Sequence, residues 1–170
     1  MSTLSVDTIQ GKTTAGTVAM PAGMVIQTLE NFDYTRSTST STSFADTGLS
    51  QAITPKFSTS KILVIVKHMF ETSGSIHSKA MVKLVRDSSD VCHLDTLVGY
   101  AYNNAISNFA STYSSGNCVG FVLDSPNTTS QITYKTQYAV GYEGTINVNG
   151  DDSSSYERSR GSIILMEIKQ

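Results

Sequence analysis

The sequence is poor in charge. Only 15% of its 170 residues are Asp, Glu, Lys or Arg, and 12 basic residues against 14 acidic ones give a net charge of -2. Soluble globular domains usually have about a quarter of their residues charged, so a charge-rich helical bundle, a coiled coil and a disordered polyelectrolyte are all disfavoured. The lack of a basic excess also argues against nucleic-acid binding, which needs a cationic surface.

Cysteine and long apolar runs are also scarce. Cys92 and Cys118 are too few for a disulfide scaffold. The longest apolar run, 62–66, is as long as one strand, whereas a membrane-spanning helix needs about eighteen residues or more. The first seven residues lack the basic and apolar regions of a signal peptide. We therefore expect synthesis in the cytoplasm, no signal peptide and no membrane insertion.

Hydroxyl side chains supply the polarity that charge does not, since Ser and Thr make up 46 of the 170 residues. Short apolar or alternating segments are separated by turns rich in Gly, Pro, Asn and Asp. Eight to ten short strands without a convincing helix predict an all-β fold, an antiparallel jelly-roll-like sandwich. The predicted strands are 24–29, 44–53, 61–70, 79–86, 91–102, 119–123, 131–140, 145–148 and 161–169.

The strongest predicted strand is 61–70, whose continuous Ile and Val run predicts burial on both faces. His68 follows that run and is expected near an interface. The low-complexity segment 35–43 is predicted to be a solvated loop or an edge strand. In 131–140 and 161–169 apolar residues alternate, which predicts one buried face on each strand.

The N-terminal segment differs from the rest because it is too poor in large apolar groups to fold alone. We divide the chain into an extended N-terminal attachment arm, 1–22, and a sandwich domain, 23–170. The arm is expected to order against a partner or a neighbouring copy. Its candidate docking residues are Leu4, Val6, Ile9, Val18 and Met20.

Four parts of the sequence resemble one known group of proteins. They are LSVDTIQGKTTAGTV at 4–18, PAGMVIQ at 21–27, ITPK with SKILV at 53–56 and 60–64, and DSPNTTS with MEIKQ at 124–130 and 166–170. This combination resembles small virion structural proteins of marine bacteriophages, notably those of cyanobacterial hosts, which are described as tail-fibre-like or appendage proteins. The middle of the chain, 71–118, matches least.

The resemblance implies a homotrimer of jelly rolls similar to those of the tumour-necrosis-factor and complement C1q type. It implies attachment through the arm to other virion proteins of the tail or capsid, and a location in the virion. It implies no catalytic residues, and we predict no cofactor. Two alternatives stay open: a capsid decoration (cement) protein of the same fold, and a carbohydrate-binding module.

The residues themselves offer little catalytic or metal-binding chemistry. Asp90, Cys92, His93 and Asp95 are candidate metal ligands, but on a strand they divide between two faces, so we predict no metal site. Cys118 imitates a nucleophile elbow, yet no helix is predicted after it and no histidine lies downstream. We therefore predict that the protein is not an enzyme.

Contact with a host-surface glycan or protein is predicted in three loops, 35–43, 103–116 and 149–156, because loops on a rigid sandwich usually carry recognition. A sugar would stack on aromatic side chains beside polar groups, although the absence of Trp weakens this reading. The candidate surface-recognition residues are Tyr100, Tyr102, Tyr113, Asp151 and Asp152.

Overall fold

The computed structural model describes residues 21–73, 80–94, 114–141, 144–150 and 159–170. Within these ranges the chain forms strands and connecting turns and no helix, so the predicted all-β class is confirmed. The strands are β1 (Val25–Asp33), β2 (Ser37–Ser39), β3 (Ala45–Ile53), β4 (Lys61–Ser73), β5 (Ala80–Arg86), β6 (Ser89–Leu94), β7 (Ser114–Asp124), β8 (Ile132–Val140), β9 (Thr145–Val148) and β10 (Gly161–Ile168).

The larger sheet has six strands but is only four strands wide. β7 pairs along one edge of β4, and the other edge of β4 pairs first with β10 and then with β9. β1 continues the sheet beyond β10, and β2 continues it beyond β9. The order across the sheet is therefore β1-β10-β4-β7, with β2 and β9 extending one end, and all of these pairings are antiparallel.

The smaller sheet has the order β3-β8-β5-β6, again with antiparallel pairs. The two sheets form a sandwich, because alternate residues of both sheets meet in one buried cluster. The alternation predicted for β8 and β10 is confirmed. The buried side chains include Ile62, Val64, Val66 and Phe70 of β4, Val82 and Leu84 of β5, Ile132, Tyr134 and Tyr138 of β8, and Ile163 and Leu165 of β10.

The prediction that β4 is buried on both faces is wrong. Ile62, Val64 and Val66 are at most 1% exposed, but Leu63 and Ile65 between them are only half-buried. β4 has strand neighbours on both edges, yet among the described residues only the smaller sheet packs against one of its faces. The apolar side chains Leu63 and Ile65 of its other face are therefore only partly covered.

Two strands, β2 and β7, include residues whose intrinsic strand propensity is low. The hydroxyl-rich segment 35–43 contains β2, an edge strand that pairs with β9, as one of its two predicted readings allowed. β7 begins at Ser114, five residues before the predicted start, because β4 offers a pairing partner along its whole length. Tertiary pairing here outweighs the low strand propensity of the Ser, Gly and Asn residues.

Candidate interaction surface

The outer face of the larger sheet is apolar across its three neighbouring strands β10, β4 and β7. The strand registers align outward-facing side chains in rows across the sheet. Seven of the nine positions are large and apolar, and we call these seven residues the apolar face. The rows are Met166–Leu63–Leu123, Ile164–Ile65–Phe121 and Ser162–Lys67–Val119.

The most exposed part of the apolar face lies on β7. Phe121 is 79% exposed, Val119 62% and Leu123 49%. With strands about 4.8 Å apart and a rise of about 3.4 Å per residue, three rows on three strands cover about 300 Å². A contiguous apolar patch of about this size is comparable to the largest patch on a typical soluble monomer, and such patches are often functional, whereas single exposed apolar residues need no explanation.

The apolar face has a polar border. On β1 the first two rows continue with Thr28 and Glu30 beside Met166 and Ile164, and the third continues with Phe32, whose ring lies 4.2 Å from the Arg160 guanidinium. Lys67 is the charged member of the central rows, and its side chain is half-buried. An apolar centre with a polar rim is the usual composition of a protein–protein interface.

β7 also presents a strand edge beside the apolar face. β7 pairs with β4 on one side, and no strand pairs with its other side within the described ranges. A strand edge beside exposed apolar side chains is a place where another chain can associate.

Cross-sheet contacts hold the C-terminal end of β7 in place. The Asp124 carboxylate accepts hydrogen bonds from Arg86 of β5 and from the hydroxyl of Tyr134 of β8, the latter at 2.7 Å. Burial of the Tyr134 hydroxyl, together with its hydrogen bond to Asp124, raises the pKa of Tyr134 above its usual range. Tyr134 therefore stays neutral and donates to Asp124, which fixes Leu123 and its neighbours relative to the smaller sheet.

Gly120 allows the two sheets to approach at the β6–β7 side of the sandwich. A Cβ atom at Gly120 would lie 2.3 Å from Cδ2 and 3.2 Å from Cγ of Leu94. The absent side chain lets Leu94 pack against β7 from the inside. On the same strand, Phe121 then points to the outside of the larger sheet.

Most of the site residues predicted from sequence fall outside the described ranges. This is true of all five arm residues, Leu4, Val6, Ile9, Val18 and Met20, and of Tyr100, Tyr102, Tyr113, Asp151 and Asp152. The structure therefore leaves both groups as predictions.

Three of the four candidate metal ligands lie on β6, and Asp95 lies outside the described ranges. Asp90 accepts a hydrogen bond from Lys83 Nζ at 2.7 Å, and burial raises the pKa of the Cys92 thiol. His93 lies edge-on to Phe44 with ring centroids 5.9 Å apart. No cluster of three or more His, Cys, Asp or Glu side chains suited to a metal is present among the described residues.

The apolar face was missed by sequence reasoning, although the sequence contained a signal for it. Val119, Phe121 and Leu123 alternate with Gly120 and Val122, so both faces of that strand are apolar. The run 62–66 has the same property. Apolar residues on both faces imply two buried layers, and the second layer need not come from the same chain.

No protein-family model matches this chain, and no curated protein matches it either. In the described part of the chain, no helix has the length and hydropathy needed to cross a membrane.

Proposed function

We propose that this chain is a bacteriophage virion structural protein, a homotrimeric component of a tail fibre or tail appendage. The observation that carries this proposal is the apolar face on β10, β4 and β7, with Phe121 79% exposed in the single subunit. A subunit of this kind is incomplete until another molecule covers the face. Its role is to assemble and hold its place in a particle.

A second copy of the same chain is the simplest partner for the apolar face. Cyclic symmetry lets three copies direct the face towards a common axis and closes the assembly without further growth. Specific interfaces bury roughly 800 Å² on each partner, so a patch of about 300 Å² would form the centre and the polar border would form the rim.

The strand order supports the jelly-roll part of the proposal. The eight long strands divide as β1-β10-β4-β7 and β3-β8-β5-β6. Chain neighbours such as β3 and β4, or β7 and β8, lie in opposite sheets, while β1 pairs with the last strand. Jelly rolls consist of two four-stranded antiparallel sheets between which the chain passes repeatedly, so this strand order supports that part of the proposal.

The buried acidic side chain of Glu167 supports a structural role. Glu167 is 0% exposed, and its Oε1 accepts hydrogen bonds from the backbone N–H groups of Lys56 and Phe57, at 2.8 and 3.2 Å. Its Oε2 accepts one from the Gln27 amide at 2.5 Å. This carboxylate holds the β3–β4 connection against β1 and β10, and its lone pairs are directed at donors of the fold itself.

The oligomer is tested by the mass of the purified full chain in solution. Light scattering coupled to gel filtration at micromolar concentration should give three times the subunit mass of 18.3 kDa. A monomer or a dimer would contradict the homotrimer.

The place in the virion is tested by locating the chain on the particle. Density at the tail, at the copy number of a tail component, is expected, whereas density at the symmetry axes of the capsid would favour the decoration protein. Specific binding on a glycan array without incorporation into particles would favour the carbohydrate-binding module.

Docking through the arm is tested by removal of residues 1–20. The shortened chain should form a folded trimer that no longer joins the particle, and its incorporation at normal copy number would refute docking through the arm.

A further inference from the structure

A chain of hydrogen-bonded polar side chains crosses the core between the two sheets. His68 of β4 is 0% exposed, and its Nε2 lies 2.8 Å from the hydroxyl of Thr136 on β8. The Thr136 hydroxyl lies 2.6 Å from the hydroxyl of Thr47 on β3. On the other side of the ring, Nδ1 lies 3.4 Å from Oδ1 of Asn149, directly after β9. These four side chains, which we call the polar cluster, join the larger sheet to the smaller one.

The donors and acceptors of the polar cluster determine the tautomer of His68. The Asn149 amide nitrogen donates to the backbone oxygens of Asp33 and Thr35 at 3.2 and 3.0 Å, so its Oδ1 is an acceptor. His68 Nδ1 therefore carries the proton and donates to Asn149. Nε2 is then an acceptor for the Thr136 hydroxyl, which in turn accepts from Thr47.

The site leaves the ring no space to move. A Cβ atom at Gly161 would lie 2.7 Å from Cε1 and 2.8 Å from Nδ1 of His68, so the backbone of β10 lies directly against the ring. The Phe70 ring lies 5.5 Å from it, centroid to centroid. The groups around the ring are the hydroxyls of Thr47 (β3) and Thr136 (β8), the Asn149 amide, the Cys118 thiol at the paired position of β7, the Asp33 carboxylate of β1, and the backbone at Gly161 of β10.

Burial dominates the electrostatics of this ring. It lowers the pKa of His68 to about 4, although the hydrogen bond to Asn149 and the charge of Asp33 act in the opposite direction. The Asp33 carboxylate is engaged elsewhere as well, since it accepts from the Asn149 amide at 3.3 Å and from the Thr35 backbone N–H at 2.9 Å. It therefore does not form a direct ion pair with the ring.

We propose that the polar cluster is an acid-sensitive switch that controls opening of one end of the sandwich. A proton added to Nε2 turns this acceptor into a donor that points at the Thr136 hydroxyl. Thr136 must then donate to Thr47, whose own hydroxyl turns to the Thr136 backbone carbonyl at 3.3 Å, while a charge enters the core. Opening relieves both effects because water then reaches the imidazolium. The segments released are those that Asn149 joins, namely the β1–β2 connection, β4 at Met69 and the residues before β10 at Ser159. This inference does not depend on the role of the protein in a virion.

Hydrogen exchange measured by mass spectrometry on the full chain tests the switch. The backbone N–H of Asn149 donates to the Met69 carbonyl, and the backbone N–H of Ser159 donates to the Asn149 carbonyl. The exchange of these two backbone amides therefore reports on this end of the sandwich. With the closed-state pKa given above and an ordinary value of 6.5 when open, opening should become roughly 70-fold more frequent from pH 7.5 to pH 4.5. Protection factors are compared because intrinsic exchange rates themselves depend on pH.

Two variants separate His68 from the other groups that titrate in acid. His68→Gln should remove the acid-dependent step at these amides, even if its protection is lower at both pH values. His93→Gln, which changes an exposed histidine on β6, should retain the step. An unchanged step in His68→Gln would overturn the proposal.

An NMR titration of the His68 ring protons in the unmodified protein tests the switch even if His68→Gln fails to fold. A midpoint for His68 near pH 4, accompanied by loss of protection at Asn149, supports the switch. A midpoint near pH 6.5 in the folded protein, or protonation without any loss of protection, refutes it.

Discussion

The outer faces of the two sheets differ although both sheets bury their inner faces in the same core. The larger sheet exposes Val119, Phe121 and Leu123, whereas the corresponding surface of the smaller sheet consists largely of polar and charged side chains. One outward row of the smaller sheet reads Asp46–Gln137–Lys83–His93. The outer face of the smaller sheet is therefore the one suited to water, whereas the outer face of the larger sheet is apolar over β10, β4 and β7.

The polar groups of the smaller sheet's outer face are paired with each other. Asp46 accepts from Lys135 Nζ at 2.9 Å and from the Gln137 amide at 2.7 Å. Partial burial acts to raise the pKa of Asp46, but these two hydrogen bonds and the charge of Lys135 outweigh it, so the pKa lies below its usual value. The apolar face of the larger sheet consists of side chains that cannot form such hydrogen bonds or ion pairs, and we propose that another molecule covers it.

The largest effect is expected from a charge placed in the apolar face. Phe121→Glu should weaken self-association by roughly 100-fold or more, because a large apolar side chain at an interface centre is replaced by a charge that must be desolvated. Ser50→Glu is the matched control, since Ser50 also faces outward on an edge strand and pairs with Lys135. Light scattering over a dilution series should show monomers for the first variant and the wild-type mass for the second. Equal masses would mean that the apolar face is not the interface.

The next effect separates the inner face of β10 from its outer face. Leu165→Ala removes a side chain that is 0% exposed and should lower the free energy of unfolding by about 2 to 5 kcal/mol. Met166→Ala, one position along, should cost less than about 1 kcal/mol in the subunit because Met166 is only partly covered. Both are measured by urea denaturation in the Phe121→Glu background, which removes the contribution of assembly. Similar losses for the two variants would contradict the assignment of the faces.

As the pH falls, the contribution of His68 in the core to the free energy of unfolding should be lost at a higher pH than the contribution of Asp46 on the polar outer face. Unfolded His68 takes up a proton near pH 6.5 but folded His68 only near pH 4, so stability is complete above pH 6.5 and falls as the pH drops to about 4. The total loss is about 3 kcal/mol, from a pKa difference of about 2.5 units. Asp46 has a lowered pKa, so its contribution is present above the ordinary value of 3.8 and is lost only below it. Urea titrations at successive pH values should lose this first step in His68→Gln, and its persistence would assign the step to other groups.

Local pattern was sufficient to predict most strands of this fold. The alternation of apolar residues in 161–169 predicted the buried face of β10, and the short strand 145–148 lies where it was expected. Such patterns depend on residues close in the chain, and the period of two in a strand is strong when only one face is buried.

What could not be predicted depends on contacts between distant parts of the chain. His68 and Asn149 are 81 positions apart, and only the pairing of β4, β9 and β10 brings them together. The apolar face likewise depends on the register of Phe121 opposite Ile65. In the sequence, assembly was predicted only from the resemblance to virion proteins. The structure adds a particular surface, the apolar face, at which assembly can be tested.

The smallest effect is expected on the polar face of the smaller sheet. Asp46→Asn should lower the free energy of unfolding by less than about 1 kcal/mol. Water screens the attraction between exposed charges, and holding two long side chains together costs conformational entropy, so an exposed ion pair adds little stability. The difference from wild type should shrink further when the salt concentration rises from about 0.1 M to about 1 M, as the Debye length falls from roughly 10 Å to roughly 3 Å. Self-association should be unchanged, since Asp46 and Phe121 lie on opposite outer faces. A loss of assembly in Asp46→Asn would mean that partners also use the polar face, and the contrast between the two sheets would then not distinguish an interface from a solvent-facing surface.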